Sequence, residues 1–138
     1  MALPCTLLSG MPFDHEKLDV YRAELEFIMW VSVLLATIRE QRSGRIGEVC
    51  DQIDRASLSA LLNTAEGNGK RPRPIRARFL DDARGSATEC AACLDALVAK
   101  GLCTAAQVQP GKILLLRIVA MLTKLIALFD PVLNATGG

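Results

Sequence analysis

Residues 61–86, LLNTAEGNGKRPRPIRARFLDDARGS, decide the architecture of this chain. An apolar helix face breaks at Gly67 and Gly69, passes the cations Lys70, Arg71, Arg73, Arg76 and Arg78, and resumes as a second helix. Glycine reaches positive φ without a Cβ clash and Asn68 tolerates it, so the spacing predicts a helix that stops near Glu66. Pro72 and Pro74 forbid a helix running through them. Pro74 nevertheless suits the first turn of a new helix, where the N–H it lacks would have no partner anyway. The stretch reads as helix, tight connection, helix.

Upstream, Ser43 and Gly44 separate two helical patterns. The later one runs through Ile46, Val49, Cys50, Ile53, Ser57, Ala60, Leu61 and Thr64 at helical spacing. The earlier begins at Phe13, with Asp14 as a cap and Glu16 in the first turn. It carries two apolar stripes. Leu18, Tyr21, Leu25, Ile28 and Leu35 are assigned to the core, and Val20, Phe27, Val31, Leu34 and Ile38 lie beside them. One bundle core cannot cover both, so Val20, Phe27, Val31 and Leu34 are expected at a contact between subunits.

Downstream, the third helix continues as Ile75, Phe79, Ala83, Ala87, Cys90, Leu94, Leu97 and Val98 and stops at Gly101. Gly85, Ser86 and Ala87 are read as a patch where a neighbouring helix comes close. Thr104 to Gln107, TAAQ, is a capping-box sequence. Pro110 and Gly111 then suggest a short initial turn before a main segment over about 112–129. That segment is nearly all apolar, with Arg117 and Lys124 on one narrow face, and reads as an almost buried helix. It is too short, and too charged in mid-segment, for a membrane span of about 20 apolar residues.

A chain of 138 residues makes one domain, 1–138, here with an extension at 1–12 and a mobile tail at 131–138. Hydrophobic residues are 51% and aromatics 4%, a composition that suits packed helices better than sheets and fits an all-α, antiparallel up-and-down four-helix bundle assembled as a cyclic homo-oligomer. The net charge of +1 hides a gradient, since residues 1–60 hold 9 acidic and 6 basic side chains and residues 61–138 hold 6 and 10. The first dozen residues lack the basic start of a secretory signal, and five cysteines are an odd number on apolar helix positions. The protein is therefore placed in the cytoplasm with reduced thiols.

No catalytic constellation is present, and the chain is read as a non-enzyme without cofactor. Asn63 and Glu66 are assigned to holding the helix end rather than to acid–base chemistry. Cys90 and Cys93 form a CxxC, but in mid-helix between alanines, which points to core packing. No metal site is assigned: Cys103 and the lone His15 are far in sequence from that pair, and His15 is placed at the surface.

The runs NTAEGNGK at 63–70, FLDDARGS at 79–86 with Glu89 beyond it, and LDVYRAELEF at 18–27 resemble the four-helix-bundle proteins encoded in intervening sequences of bacterial 23S ribosomal RNA genes. The resemblance covers about residues 13–129. It implies compact bundles that assemble as homopentamers. A related branch is the accessory variability protein of diversity-generating retroelements, which implies nucleic acid and a reverse transcriptase as partners. This chain departs from the usual pattern at Pro72 and Pro74, where other members carry a charged or polar helix start.

Lys70, Arg71, Arg73, Arg76 and Arg78 are the candidate nucleic-acid-binding residues, because a row of cations at a helix start can hold successive phosphates. Asp81, Asp82 and Glu66 are the acids available to neutralise them. Few aromatics mean contact to the RNA or DNA backbone rather than base stacking. The other reading is an oligomeric scaffold that binds protein alone.

Overall fold

The computed structural model describes residues 13–41 and 47–130. The readings placed on residues 1–12, on Ser43, Gly44 and Ile46, and on the 131–138 tail lie outside the described residues. A 3-10 turn, Asp14–Lys17, precedes four helices: α1 (Asp19–Gln41), α2 (Gly47–Asn68), α3 (Arg73–Ala99) and α4 (Ala105–Phe129). The described residues include no strand. The helices pack in sequence, α1 on α2, α2 on α3 and α3 on α4, and α4 returns to α1, which closes a four-helix bundle.

Side-chain pairs set the heights of the helices. Ser59 meets Ser86 at 3.0 Å, Gln52 donates to Glu89, and Gly67 lies against Phe79. Arg84 donates to Thr123 at 3.2 Å, and Lys112 to Asp95 at 2.7 Å.

The helix ends follow the local chemistry. Thr104 and Gln107 form the capping box in both directions, at 3.2 and 2.8 Å. Gly101, at φ 74°, ends α3 with Leu102 N–H donating to Leu97 C=O and Gly101 N–H to Val98 C=O. That Schellman arrangement needs the left-handed conformation glycine adopts cheaply. Two expectations fail here. α2 ends at Asn68, close to the expected stop, but without a positive-φ glycine at its end. Nor does Pro110 break α4, which runs unbroken from Ala105. Pro110 is exposed, so the Ala106 carbonyl it leaves without an intrahelical donor belongs to the solvent side.

The core is filled by Phe27, Leu35, Ile38, Ile53, Leu80, Leu94, Leu97, Ile118, Leu122 and Ile126, all fully buried. Each such side chain contributes about 1.5–3 kcal/mol by leaving water. The stripes of α1 depart from the expectation, although Leu35 is core as assigned. Val20, Phe27, Val31 and Leu34 are 2, 2, 1 and 8% exposed within the single chain, so they are core and not a subunit contact. Leu25 and Ile28 are only half-buried and stand outside the core cluster. The cause is Glu24. Val20, Glu24, Phe27, Val31, Leu34 and Ile38 form an unbroken alternation of four- and three-residue steps, the spacing of a buried seam, which a charged residue interrupts in sequence but not in space.

Close approach also occurs elsewhere than expected. A Cβ on Gly85 would meet nothing within 4 Å, so the approach of α2 to that patch is made at Ser86, 3.0 Å from Ser59, and not at the glycine. On Gly67 it would sit 2.8 Å from Phe79 Cβ, and on Gly111 2.1 Å from the Trp30 indole. α4 is not an almost buried helix either: Ile113, Leu116 and Leu128 are exposed on one face, beside Arg117 and Lys124. Ile75, which opens the helical pattern of α3, is exposed at its first turn. No helix of the described residues is long and apolar enough to cross a membrane.

Candidate nucleic-acid interface

The basic cluster surrounds the start of α3. Pro72 is the N-cap residue, with ψ 125° and no side-chain hydrogen bond, and no acid occupies the first turn. Its carbonyl accepts from Arg76 N–H at 3.0 Å. Among the described residues, the N–H groups of the first turn therefore have no carboxylate or hydroxyl on them, and the positive end of the α3 dipole adds to the cations around it. Gly67 lets the last turn of α2 press on Phe79 and brings Lys70 beside the start of α3.

Of the five cations, Lys70 and Arg76 are half-buried and the other three exposed. Arg76 is half-buried and occupied: its Nε donates to Lys70 C=O at 3.0 Å and its Nη2 to Asn68 C=O at 2.8 Å. Its guanidinium also lies 4.8 Å from the centroid of Phe129. It satisfies carbonyls at the α2 end and ties that end to the end of α4, a holding role that sequence spacing could not distinguish from phosphate binding. Arg71, Arg73 and Arg78 are exposed. Arg73 reaches to 6.0 Å from the Phe129 centroid, and Lys70 Nζ to 5.3 Å from that of Phe79.

The expected neutralising acids are not engaged with the cluster. Asp81 pairs with Arg84 at 2.6 Å, and the other ion pairs among the described residues join Arg39 to Asp51 and Asp54 and Lys112 to Asp95. Asp82 and Glu66 are exposed and in none of these pairs. The arrangement is a row of exposed cations around an open helix start, which can accept oxyanions.

Sequence reasoning missed Phe129, the platform under Arg73 and Arg76, because nothing in its spacing shows that the α4 end meets the α3 start. Asn63 is structural: its amide donates to Ser59 C=O at 2.9 Å and to Ser59 Oγ at 3.2 Å. His15 is half-buried rather than surface, between the rings of Phe13 at 5.7 Å and Tyr21 at 4.7 Å.

Cys90 and Cys93 pack in the core, as their mid-helix positions imply. Burial pushes the Cys90 thiol up to about 12 and raises that of Cys93, which keeps both as unreactive thiols. Among the described residues, no three His, Cys, Asp or Glu side chains gather as metal ligands would.

Glu24 was not singled out in the sequence. It is 2% exposed, accepts from Thr64 Oγ1 at 2.8 Å through Oε2, and buries Oε1 without a partner. Burial raises its carboxyl to about 8, against a smaller lowering by Thr64. Its place on the seam of α1 was the available signal.

A family model described as 23S rRNA-intervening sequence protein matches residues 16–124. Comparison with curated proteins finds no match. The matched region contains all five cations of the cluster and ends before Phe129.

Proposed function

The chain belongs to the 23S rRNA-intervening sequence protein family, and on that premise we propose a non-enzymatic accessory protein that holds the phosphate backbone of RNA or DNA. One observation carries the reading: Arg71, Arg73 and Arg78 stand exposed, outside every ion pair among the described residues, around a helix start with no acid in its first turn. Lys70 contributes from beside Phe79, and Arg76 holds the platform. With backbone phosphates as the target, affinity falls with salt and discriminates little between sequences.

The reading includes an antiparallel up-and-down course of the helices. It is supported by partners that descend α3 as they ascend α2, from Gln52–Glu89 through Ser59–Ser86 to Gly67–Phe79. It also includes a cyclic homopentamer, which repeats the cluster by symmetry, a cytoplasmic location, and a reverse transcriptase or other protein as a further partner. A protein-binding scaffold without nucleic acid is the second reading, favoured by the exposed Leu58, Leu62 and Leu116.

The test is a titration of the full chain with structured RNA and with duplex DNA at two salt concentrations. Binding at low salt that falls with a log–log slope of roughly 0.9 per duplex phosphate contact supports the backbone reading. Absence of binding at low salt would decide for the scaffold.

A further inference from the structure

Two apolar faces lie uncovered on helices that stand across the bundle from each other. α4 turns Ile113, Leu116 and Leu128 outward, 51, 72 and 61% exposed, and α2 turns out Leu58 and Leu62, 50 and 54% exposed. α2 and α4 both pack on α1 and α3, so they occupy the diagonal and their outer faces point to opposite sides of the protomer.

The faces differ in charge. α4 carries Lys112, Arg117 and Lys124 and no acid, whereas α2 carries four acids against one arginine. Arg39 of α1 offsets part of the α2 charge through Asp51 and Asp54. Glu66 on α2, and Arg117 and Lys124 on α4, are in no ion pair among the described residues.

The faces also lie at one height. Ser59 is level with Ser86, and Arg84, two residues earlier on α3, reaches Thr123. Leu58 and Leu62 therefore stand near the level of Thr123, midway between Leu116 and Leu128 on α4.

We propose that the outer face of α4 in one copy seats on the outer face of α2 in the next, with Leu116 and Leu128 straddling Leu58 and Leu62 and the α4 cations facing the α2 acids. The contact joins two different patches, so it runs head to tail. A head-to-tail contact closes into a ring only when the rotation between successive copies closes, which the cyclic assembly proposed above requires. The proposal rests on the assembly reading above and assigns the surfaces that make it.

Leu116→Glu and Leu62→Glu in the full chain test the assignment, with mass read by light scattering and helix content by circular dichroism. Both side chains are half or more exposed, so the bundle should survive, and Leu58→Lys serves as a second α2 variant. Each variant alone should fall to monomer mass. The equimolar mixture of the two should give a dimer, because Leu116→Glu keeps a working α2 face and Leu62→Glu a working α4 face. The mixture is measured at high concentration, since one contact lacks the avidity of a closed ring. An assembly that withstands Leu62→Glu and Leu58→Lys, or a mixture that stays monomeric, would overturn this assignment alone. A monomeric unaltered protein would overturn the assembly itself and the assignment with it.

Discussion

Cζ3 of the Trp30 indole lies 2.1 Å from the point where a Cβ would project from Gly111. The α1 ring rests on the α4 backbone, and only the absence of a side chain makes room for it. Gly111→Ala should therefore destabilise the fold by about 1–3 kcal/mol through overpacking. In a Trp30→Ala background the same change should instead stabilise by roughly 1 kcal/mol, the helix-propensity gain of alanine over glycine. Urea unfolding of the four proteins closes the cycle, and equal effects of Gly111→Ala in both backgrounds would refute the contact.

Glu24 makes stability depend on pH. Its carboxyl titrates at about 8 in the folded chain against an ordinary 4.5, so between these values the native state holds a proton that the unfolded state releases. Stability should be fullest below about pH 4.5 as far as this group is concerned and fall as pH rises towards 8, by several kcal/mol at about 1.36 kcal/mol per unit. Glu24→Gln keeps an acceptor for Thr64 and should remove this slope. Denaturant titrations at about pH 5 and about pH 8 read it, and an unchanged slope in the variant would contradict the assignment.

The basic cluster should separate into binding and holding residues. Arg71→Ala, Arg73→Ala and Arg78→Ala combined should weaken RNA and DNA binding alike and lower the salt slope by up to about three contacts, with little change in stability. Arg76→Ala should do the opposite first, costing about 1–3 kcal/mol of stability by freeing the Asn68 and Lys70 carbonyls and uncovering Phe129. A stable Arg76→Ala protein with lost binding would move that residue into the interface.

Phe27→Glu and Val31→Glu place a carboxylate in the core of the single chain. Either should unfold the protein or cost about 3 kcal/mol or more. Circular dichroism decides: a helical species of lower mass would restore these residues to a subunit contact.

The helices were legible where local chemistry acts alone. Thr104 and Gln107 announced the start of α4, Gly101 the end of α3, and Pro74 its first turn, because each effect is contained within a few residues. The facing of α1 was not legible, since Leu25 and Ile28 are as apolar as Phe27 and Val31, and which of them is buried depends on where α2 and α4 pack against α1. The glycines show the same division. Gly85 sits among small residues yet has open space where a Cβ would stand, while the partners that make Gly67 and Gly111 necessary, Phe79 and Trp30, lie on other helices. Within the cluster, charge and position were visible, but the occupation of Arg76 by two carbonyls and one ring required the ends of α2 and α4 in place.

A helix that is apolar on two sides has two ways to sit against its neighbours. The observed setting is the one that buries Glu24, whose burial is unfavourable and leaves one oxygen without a partner, so the Thr64 hydrogen bond offsets part of a cost that the apolar seam around it outweighs. Replacing Glu24 by Leu should accordingly raise the melting temperature by removing that cost.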